Sequence, residues 1–150
     1  MYLDNADATL LDCTFEVNEA GEYGGALCIN GCSPDVIGCK FDANTAEDWG
    51  GGILVYQNSV PVVVNCGFAN NSARSGGGFA QFSTGGTLAN CLFVGNTATN
   101  ECGGALLGGT TAQQTHVVNC TFLNNGATGT GAYAGGVGMG TYVSLENCIF

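Results

Sequence analysis

One short motif recurs along this chain at near-even spacing, and that recurrence limits the chain to a stack of like units. Cys-x-Phe-x-x-Asn appears as CTFEVN (13–18), CKFDAN (39–44), CGFANN (66–71), CLFVGN (91–96) and CTFLNN (120–125), and a sixth copy opens at CIF (148–150). Successive cysteines are 26, 27, 25, 29 and 28 residues apart. Two residues after each Asn stands Ala20, Ala46, Ala73, Ala98 or Ala127. Each copy then delivers glycines and an apolar run: GGAL (24–27), GGGIL (50–54), GGGFA (76–80), GGAL (103–106) and GGVG (135–138). A repeat of this length is one supersecondary unit that buries its apolar side only by stacking on its neighbours.

Residue types decide between repeat architectures. The L-x-x-L-x-L ladder of leucine-rich repeats is missing. Helical repeats are longer and need charged outer faces, yet only 9% of residues are charged and 26 of 150 are glycine. Short apolar strands with Gly and Asn at the corners remain. The expected fold is all-β, a parallel β-helix of about five coils of 25–29 residues, one coil per repeat. With strands about 4.8 Å apart, five coils rise roughly 24 Å. The whole of 1–150 reads as a single solenoid domain with partial coils at both ends, expected to be a piece of a longer one. Open strand edges at the two ends are expected to make the isolated segment self-associate, which sedimentation reads directly.

The columns of the repeat assign the interior. Cys and Phe are two apart, so both point inward on a strand. This gives a thiol ladder of Cys13, Cys39, Cys66, Cys91, Cys120 and Cys148, and a ring ladder of Phe15, Phe41, Phe68, Phe93, Phe122 and Phe150. Three residues before each Cys is an aliphatic: Leu10, Val36, Val63, Leu88, Val117 or Leu145. Alternation would turn it outward, so the chain must bend between the two. The residue before each Cys is Asp12, Gly38, Asn65, Asn90, Asn119 or Asn147, types that tolerate left-handed backbone or bond their own main chain. A second corner is expected at Asn18, Asn44, Asn71, Asn96 and Asn125, where stacked amides hydrogen-bond along the column.

FxxN repeated together with GGA[ILV] resembles the repeats of chlamydial-type polymorphic outer membrane proteins. More broadly, the chain resembles bacterial right-handed β-helix repeat proteins. GGAL matches in full twice, whereas GGFA and GGVG depart from the pattern. The resemblance implies the handedness, an extracellular or cell-surface (outer-membrane) location, and an adhesive or structural role as an autotransporter passenger. The signal peptide and C-terminal barrel of that family are not in this sequence.

Several functions are disfavoured by composition and motif. Two basic residues, Lys40 and Arg74, stand against twelve acidic ones for a net charge of −10. That surface repels nucleic acid and anionic membranes. No apolar run is long enough to span a membrane as a helix. SGGGF (75–79) lacks the Lys-Ser/Thr of a phosphate loop. No cofactor and no metal are expected, since zinc wants four ligands and the chain has one His. In-register Cβ atoms near 4.8 Å exceed the roughly 3.5–4.5 Å of a disulfide, so the column thiols read as small buried hydrophobes. Cys28 and Cys32, four apart, are left able to close a small loop, and Cys102 lies off the column.

The variable segment between each Asn and its glycines is the edge on which function is expected. It holds Glu22, Glu47, Asp48, Trp49, Arg74, Glu101 and Tyr133. Counted back from the first strand-opening Gly, one column reads Glu22, Trp49, Ser75, Glu101, Tyr133, and the next places Arg74 one coil above Asp48. Two readings follow: a solvated edge with a surface ion pair, or a strip for glycans or surface proteins with Trp49 and Tyr133 as stacking platforms. The alternative function is a fragment of a polysaccharide-degrading β-helix enzyme. Pectate lyases use Arg or Lys with calcium-binding acids, and only Arg74 is available. Polygalacturonases use clustered aspartates and Gly-His-Gly, whereas His116 here sits in THVVNC, ahead of a strand, as a turn or lining residue. The chain is therefore read as more akin to an adhesin than to an enzyme.

Overall fold

Strands of two to five residues are all this sequence permits, because a turn-forming Asn, Asp or Gly interrupts every apolar run. The computed structural model, which describes Met1–Phe150 in full, shows how those pieces assemble. Each coil passes through four short strands, in the third coil Ile53–Tyr56, Val62–Val64, Gly67–Ala69 and Ser72–Ser75. Stacked coil upon coil, they form four parallel sheets of six, six, five and five strands. We refer to these as the glycine-opened, valine, phenylalanine and alanine sheets. The fold is a parallel β-helix, as its repeat implies.

The coils number about six rather than five. Counting by Cys-x-Phe marks only the phenylalanine sheet, whereas Tyr2–Asp4 already pairs with the next coil through Tyr2↔Cys28 and Leu3↔Ile29. At the other end, Val137–Met139 and Val143–Glu146 add strands to the first two sheets.

Register is strict, because a one-residue slip would turn a whole column from core to solvent. Phe15, Phe41, Phe68, Phe93 and Phe122 face one another directly. Their rings, with Phe150, form one continuous pile with centroids 4.9, 4.9, 4.5, 4.6 and 5.4 Å apart. Leu10, Val36, Val63, Leu88, Val117 and Leu145 run beside them in register on the valine sheet. Burying each such ring contributes about 1.5–3 kcal/mol, and stacking adds about 0.5–1.5 kcal/mol per pair.

The bend between aliphatic and Cys lies at Asp12, Gly38, Asn65, Asn90, Asn119 and Asn147, all left-handed with φ of 50°, 65°, 56°, 53°, 53° and 51°. It aims Cys39, Cys66, Cys91 and Cys120 into the core. Each thiol reaches two carbonyls, as when Cys66 Sγ lies 3.3 Å from Val64 O and 3.4 Å from Val36 O one coil away. All nine cysteines are unpaired.

The second corner is one residue earlier than the Asn column. The left-handed residues are Val17, Ala43, Asn70, Gly95 and Asn124, and the following Asn turns inward. Asn44, Asn71 and Asn96 are fully buried there. Each Nδ2 donates to the next Asn Oδ1 at 2.8–2.9 Å along Asn18, Asn44, Asn71, Asn96 and Asn125. The same Oδ1 atoms accept backbone N–H groups at 3.0 Å. The second Nδ2 hydrogen goes to the Phe carbonyl of the preceding coil, as in Asn71 to Phe41 O at 2.9 Å. The turn imposes positive φ on whatever residue precedes the Asn, Val17 and Ala43 included, and the buried amide satisfies the carbonyl that the turn exposes.

Glycines open the first sheet for a steric reason. A Cβ at Gly25, Gly51, Gly77 or Gly103 would run into backbone carbonyls of the adjoining coil.

Candidate functional site

The glycine-opened sheet gathers aromatic rings over its outer side, whereas the valine sheet turns out an aliphatic column of Leu11, Ile37, Val64, Ala89 and Val118. In Ile53–Tyr56, Ile53 and Val55 point into the core while Leu54 and Tyr56 point out. Register carries the outward column through Tyr2, Cys28, Leu54, Ala80 and Leu106. Although outside the solenoid, Cys28, Leu54 and Ala80 are only 5%, 2% and 0% exposed. Trp49, Tyr56 and Phe82 pack over them.

Trp49 reaches this face from the turn before the glycines, where Tyr23, Trp49 and Ser75 bridge from coil to coil. The Tyr23 ring lies parallel to the Trp49 indole, with centroids 5.3 Å apart and planes within 6°. Phe82 meets the indole at 5.0 Å and a 58° tilt. Tyr23, Trp49, Leu54, Tyr56 and Phe82 together line a cavity of about 280 Å³ open to the outside. The Tyr56 hydroxyl is 3.2 Å from that of Tyr2, and this hydrogen bond, with burial, raises its pKa. Burial pushes the Cys28 thiol up to about 11, against a smaller lowering by its hydrogen bond to Tyr56. Cys28 is therefore an uncharged part of the wall at neutral pH.

The edge residues named from sequence divide into those brought to this slot and those kept from it. Asp48 lies beside Trp49 and meets Arg74 one coil above, at 3.6 Å from Oδ1 to Nη1. Both partners are well exposed, so the pair contributes about 0–1 kcal/mol. Glu22 is displaced by one position: Tyr23, not Glu22, stands in the Trp49 column. Ala26 fills the place that Gly52 and Gly78 hold in the next coils, so a count taken from Gly24 runs one residue short. Glu22 instead accepts, through its carbonyl, the N–H groups of Asp48 and Trp49 at 2.9 and 3.3 Å. Glu47 is exposed on the alanine-sheet side, where with Arg74 it flanks a shallow groove of about 200 Å³. Glu101 pairs with Ser75, two coils from Trp49.

Tyr133 is 68% exposed, and its N–H is bound to Asn100 O at 3.1 Å on a later coil. Trp49 and Tyr133 thus form no common strip. The rings that do gather around Trp49 are Tyr23, Tyr56 and Phe82. Their signal in the sequence is parity: Tyr56 and Phe82 each follow the opening glycines Gly52 and Gly78 by four residues, on the outward side of their strands.

The remaining off-column residues fall into place. Cys28 faces out and Cys32 faces the core, on opposite sides of one wall, so they close no loop. Cys102 occupies, at φ 55°, the left-handed position held by Gly24, Gly50 and Gly76 in other coils. Burial and then the Glu101 charge push its thiol up to about 11. His116 does not precede a strand but lies within Thr115–Val118, exposed, with Nδ1 2.9 Å from Ser144 Oγ. No three His, Cys, Asp or Glu side chains gather in metal-binding geometry.

Residues 1–150 match the family described as the right handed beta helix region. The chain belongs to that family. Comparison with curated proteins and with solved structures gives no match. Membership fixes the β-helix as right-handed, which the periodicity alone does not. No helix is long and apolar enough to cross a membrane.

Proposed function

We propose that this β-helix is a non-enzymatic recognition segment of a secreted or surface-exposed protein with an adhesive or structural role, of the autotransporter-passenger type its repeats resemble. The observation that carries the reading is the aromatic slot around Trp49. Where the other outer faces mix polar and aliphatic side chains, this wall presents four rings around a buried leucine. A concave patch lined by aromatic rings supports a binding role. The interior thiols are buried out of reach of oxidants, so they do not oppose an oxidising, extracellular location. Partners in this reading are host or environmental glycans or surface proteins, and nucleic acid is disfavoured by the net charge of −10.

The test is a binding screen against arrayed glycans and surface proteins, with wild type and Trp49→Ala side by side. Wild type is expected to bind a discrete subset, and Trp49→Ala to lose at least about tenfold in affinity, the value of one well-packed aromatic contact. The half-buried indole lies outside the core, so the variant should melt within a few degrees of wild type. Equal binding by both proteins would remove the slot from the function. Cleavage of any polysaccharide, lost on changing Glu47, Asp48 or Glu101, would replace the reading with the polysaccharide-degrading one.

A further inference from the structure

The lining of the slot narrows what it takes, on the premise that it is the recognition site proposed above. All five of its residues are apolar or aromatic. The faces of the indole are engaged within the protein: Tyr23 lies parallel to it at 5.3 Å, and Phe82 packs on it at 5.0 Å with a 58° tilt. A sugar that binds by lying on an aromatic face therefore finds this one covered. Its hydroxyls fare no better. The Tyr56 hydroxyl already bonds that of Tyr2 at 3.2 Å, so at most the Tyr23 hydroxyl and the Trp49 indole N–H remain to meet them. A hydroxyl taken out of water without a partner opposes binding.

Charge selects neither sign of ion. A more open hollow of about 360 Å³ shares Tyr23 and Tyr56 with the slot, and it is bordered by the Met1 ammonium as well as by Glu19 and Glu22. Within the slot itself no lining residue carries a charge, so an ion of either sign would shed its water and gain no counter-charge. What the slot offers is apolar surface, with Leu54 at 2% exposure beneath Trp49, Tyr56 and Phe82. Such a cavity gains by exchanging water for an apolar group. Its volume of about 280 Å³ suits one compact ring, below the range of about 300–1,000 Å³ usual for larger ligands.

We infer that the slot formed by Tyr23, Trp49, Leu54, Tyr56 and Phe82 binds a single uncharged hydrocarbon ring and rejects sugars and ions of the same size. Burial of apolar surface against Leu54 and the surrounding rings supplies the affinity, and the lack of free polar partners supplies the selectivity. A small aromatic molecule and a phenylalanine side chain of a surface protein present the same group to it.

Leu54 lines the slot, so its methyl signals in a nuclear magnetic resonance spectrum of the methyl-labelled 150-residue chain report an occupant directly. The experiment titrates that chain with toluene, with the N-methylpyridinium cation of the same shape, and with methyl glucoside, all at fixed ionic strength. Toluene is expected to shift the Leu54 methyls saturably, at a midpoint at least about tenfold below that of N-methylpyridinium, and methyl glucoside to leave them in place. Tyr23→Ala, an exposed position, should raise the toluene midpoint several-fold while the melting temperature stays put. Toluene should also displace any surface protein held through Trp49 in the binding screen, which would identify the ring as a side chain of that partner. Saturation by N-methylpyridinium or methyl glucoside at or below the toluene midpoint would overturn the inference. So would methyls that stay unmoved by all three, and Trp49-dependent retention in the screen would then leave the recognition reading standing alone. Saturation by toluene with nothing retained in the screen would sustain the ring site and sink the recognition reading.

Discussion

Asn71→Ala is expected to destabilise the β-helix by about 3–5 kcal/mol and lower its melting temperature by about 10 °C or more. Asn71 is fully buried and serves both neighbouring coils. Its Oδ1 accepts from Asn44 N and Asn44 Nδ2, at 3.0 and 2.9 Å. Its Nδ2 donates to Phe41 O and Asn96 Oδ1, both at 2.9 Å. Truncation strands the Asn44 N–H, one Asn44 amide hydrogen and the Phe41 carbonyl. Each stranded group costs about 1–3 kcal/mol, softened where water enters the space left behind. Asn71→Leu keeps the volume but not the bonds and should be no better. Asn18→Ala, at the exposed foot of the column, should cost about 1 kcal/mol, because water replaces what is lost there. Thermal and urea melts followed by circular dichroism read all three. Wild-type stability in Asn71→Ala would refute the amide ladder.

Phe68→Ala should cost about 3–5 kcal/mol by emptying the middle of the ring pile. Phe68 is fully buried, stacked at 4.9 Å on Phe41 and 4.5 Å on Phe93, and edge-on to Phe79 at 6.2 Å. Two stacking pairs vanish at once, and neighbouring rings cannot close the gap because backbone pairing holds the coils apart. In a solenoid each coil is stabilised chiefly by its neighbours. Hydrogen exchange should therefore speed up in the flanking strands Lys40–Asp42 and Leu92–Val94 before it does at the ends of the stack. Phe15→Ala, at the half-buried foot of the pile, should lose less than half as much. Equal losses at Phe15 and Phe68 would mean that the rings do not act as a continuous column.

These two residues also show why so much of the wall could be read from one sequence. A β-helix writes every structural requirement once per coil. The need for positive φ before Cys66, for a ring at Phe68 and for an amide at Asn71 therefore recurs at the same places in the other coils. The second corner was misplaced by one residue because positive φ falls on Val17 and Ala43, residue types that do not announce a turn. It is the buried neighbour, chosen for its hydrogen bonds, that carries the visible asparagine signal. The coil count fell short because Tyr2–Asp4 pairs in register without bearing the motif.

The slot was only half legible for the opposite reason: it occurs once. Trp49 and Asp48 stood out as departures from the repeat, but their partners depend on register. An alanine in place of a glycine at Ala26 shifted that register by one residue and hid Tyr23. Tyr56 and Phe82 lie two residues beyond the apolar runs counted after the glycines (50–54 and 76–80), and nothing in the repeat marks them. Only the three-dimensional stack shows that they lie on the outside of the molecule.

The central claim is that the residues most suggestive of chemistry, the cysteines, build the wall, and that recognition is left to its outer face. Native alkylation with iodoacetamide at pH 7.5, mapped thiol by thiol by mass spectrometry, tests this most directly. The account predicts that Cys39, Cys66, Cys91 and Cys120 stay unmodified while the half-exposed Cys13 and Cys148 react first, and that all nine react after unfolding. Modification of Cys66 or Cys91 in the folded chain at the rate of a free peptide thiol, or their recovery in a disulfide, would contradict it.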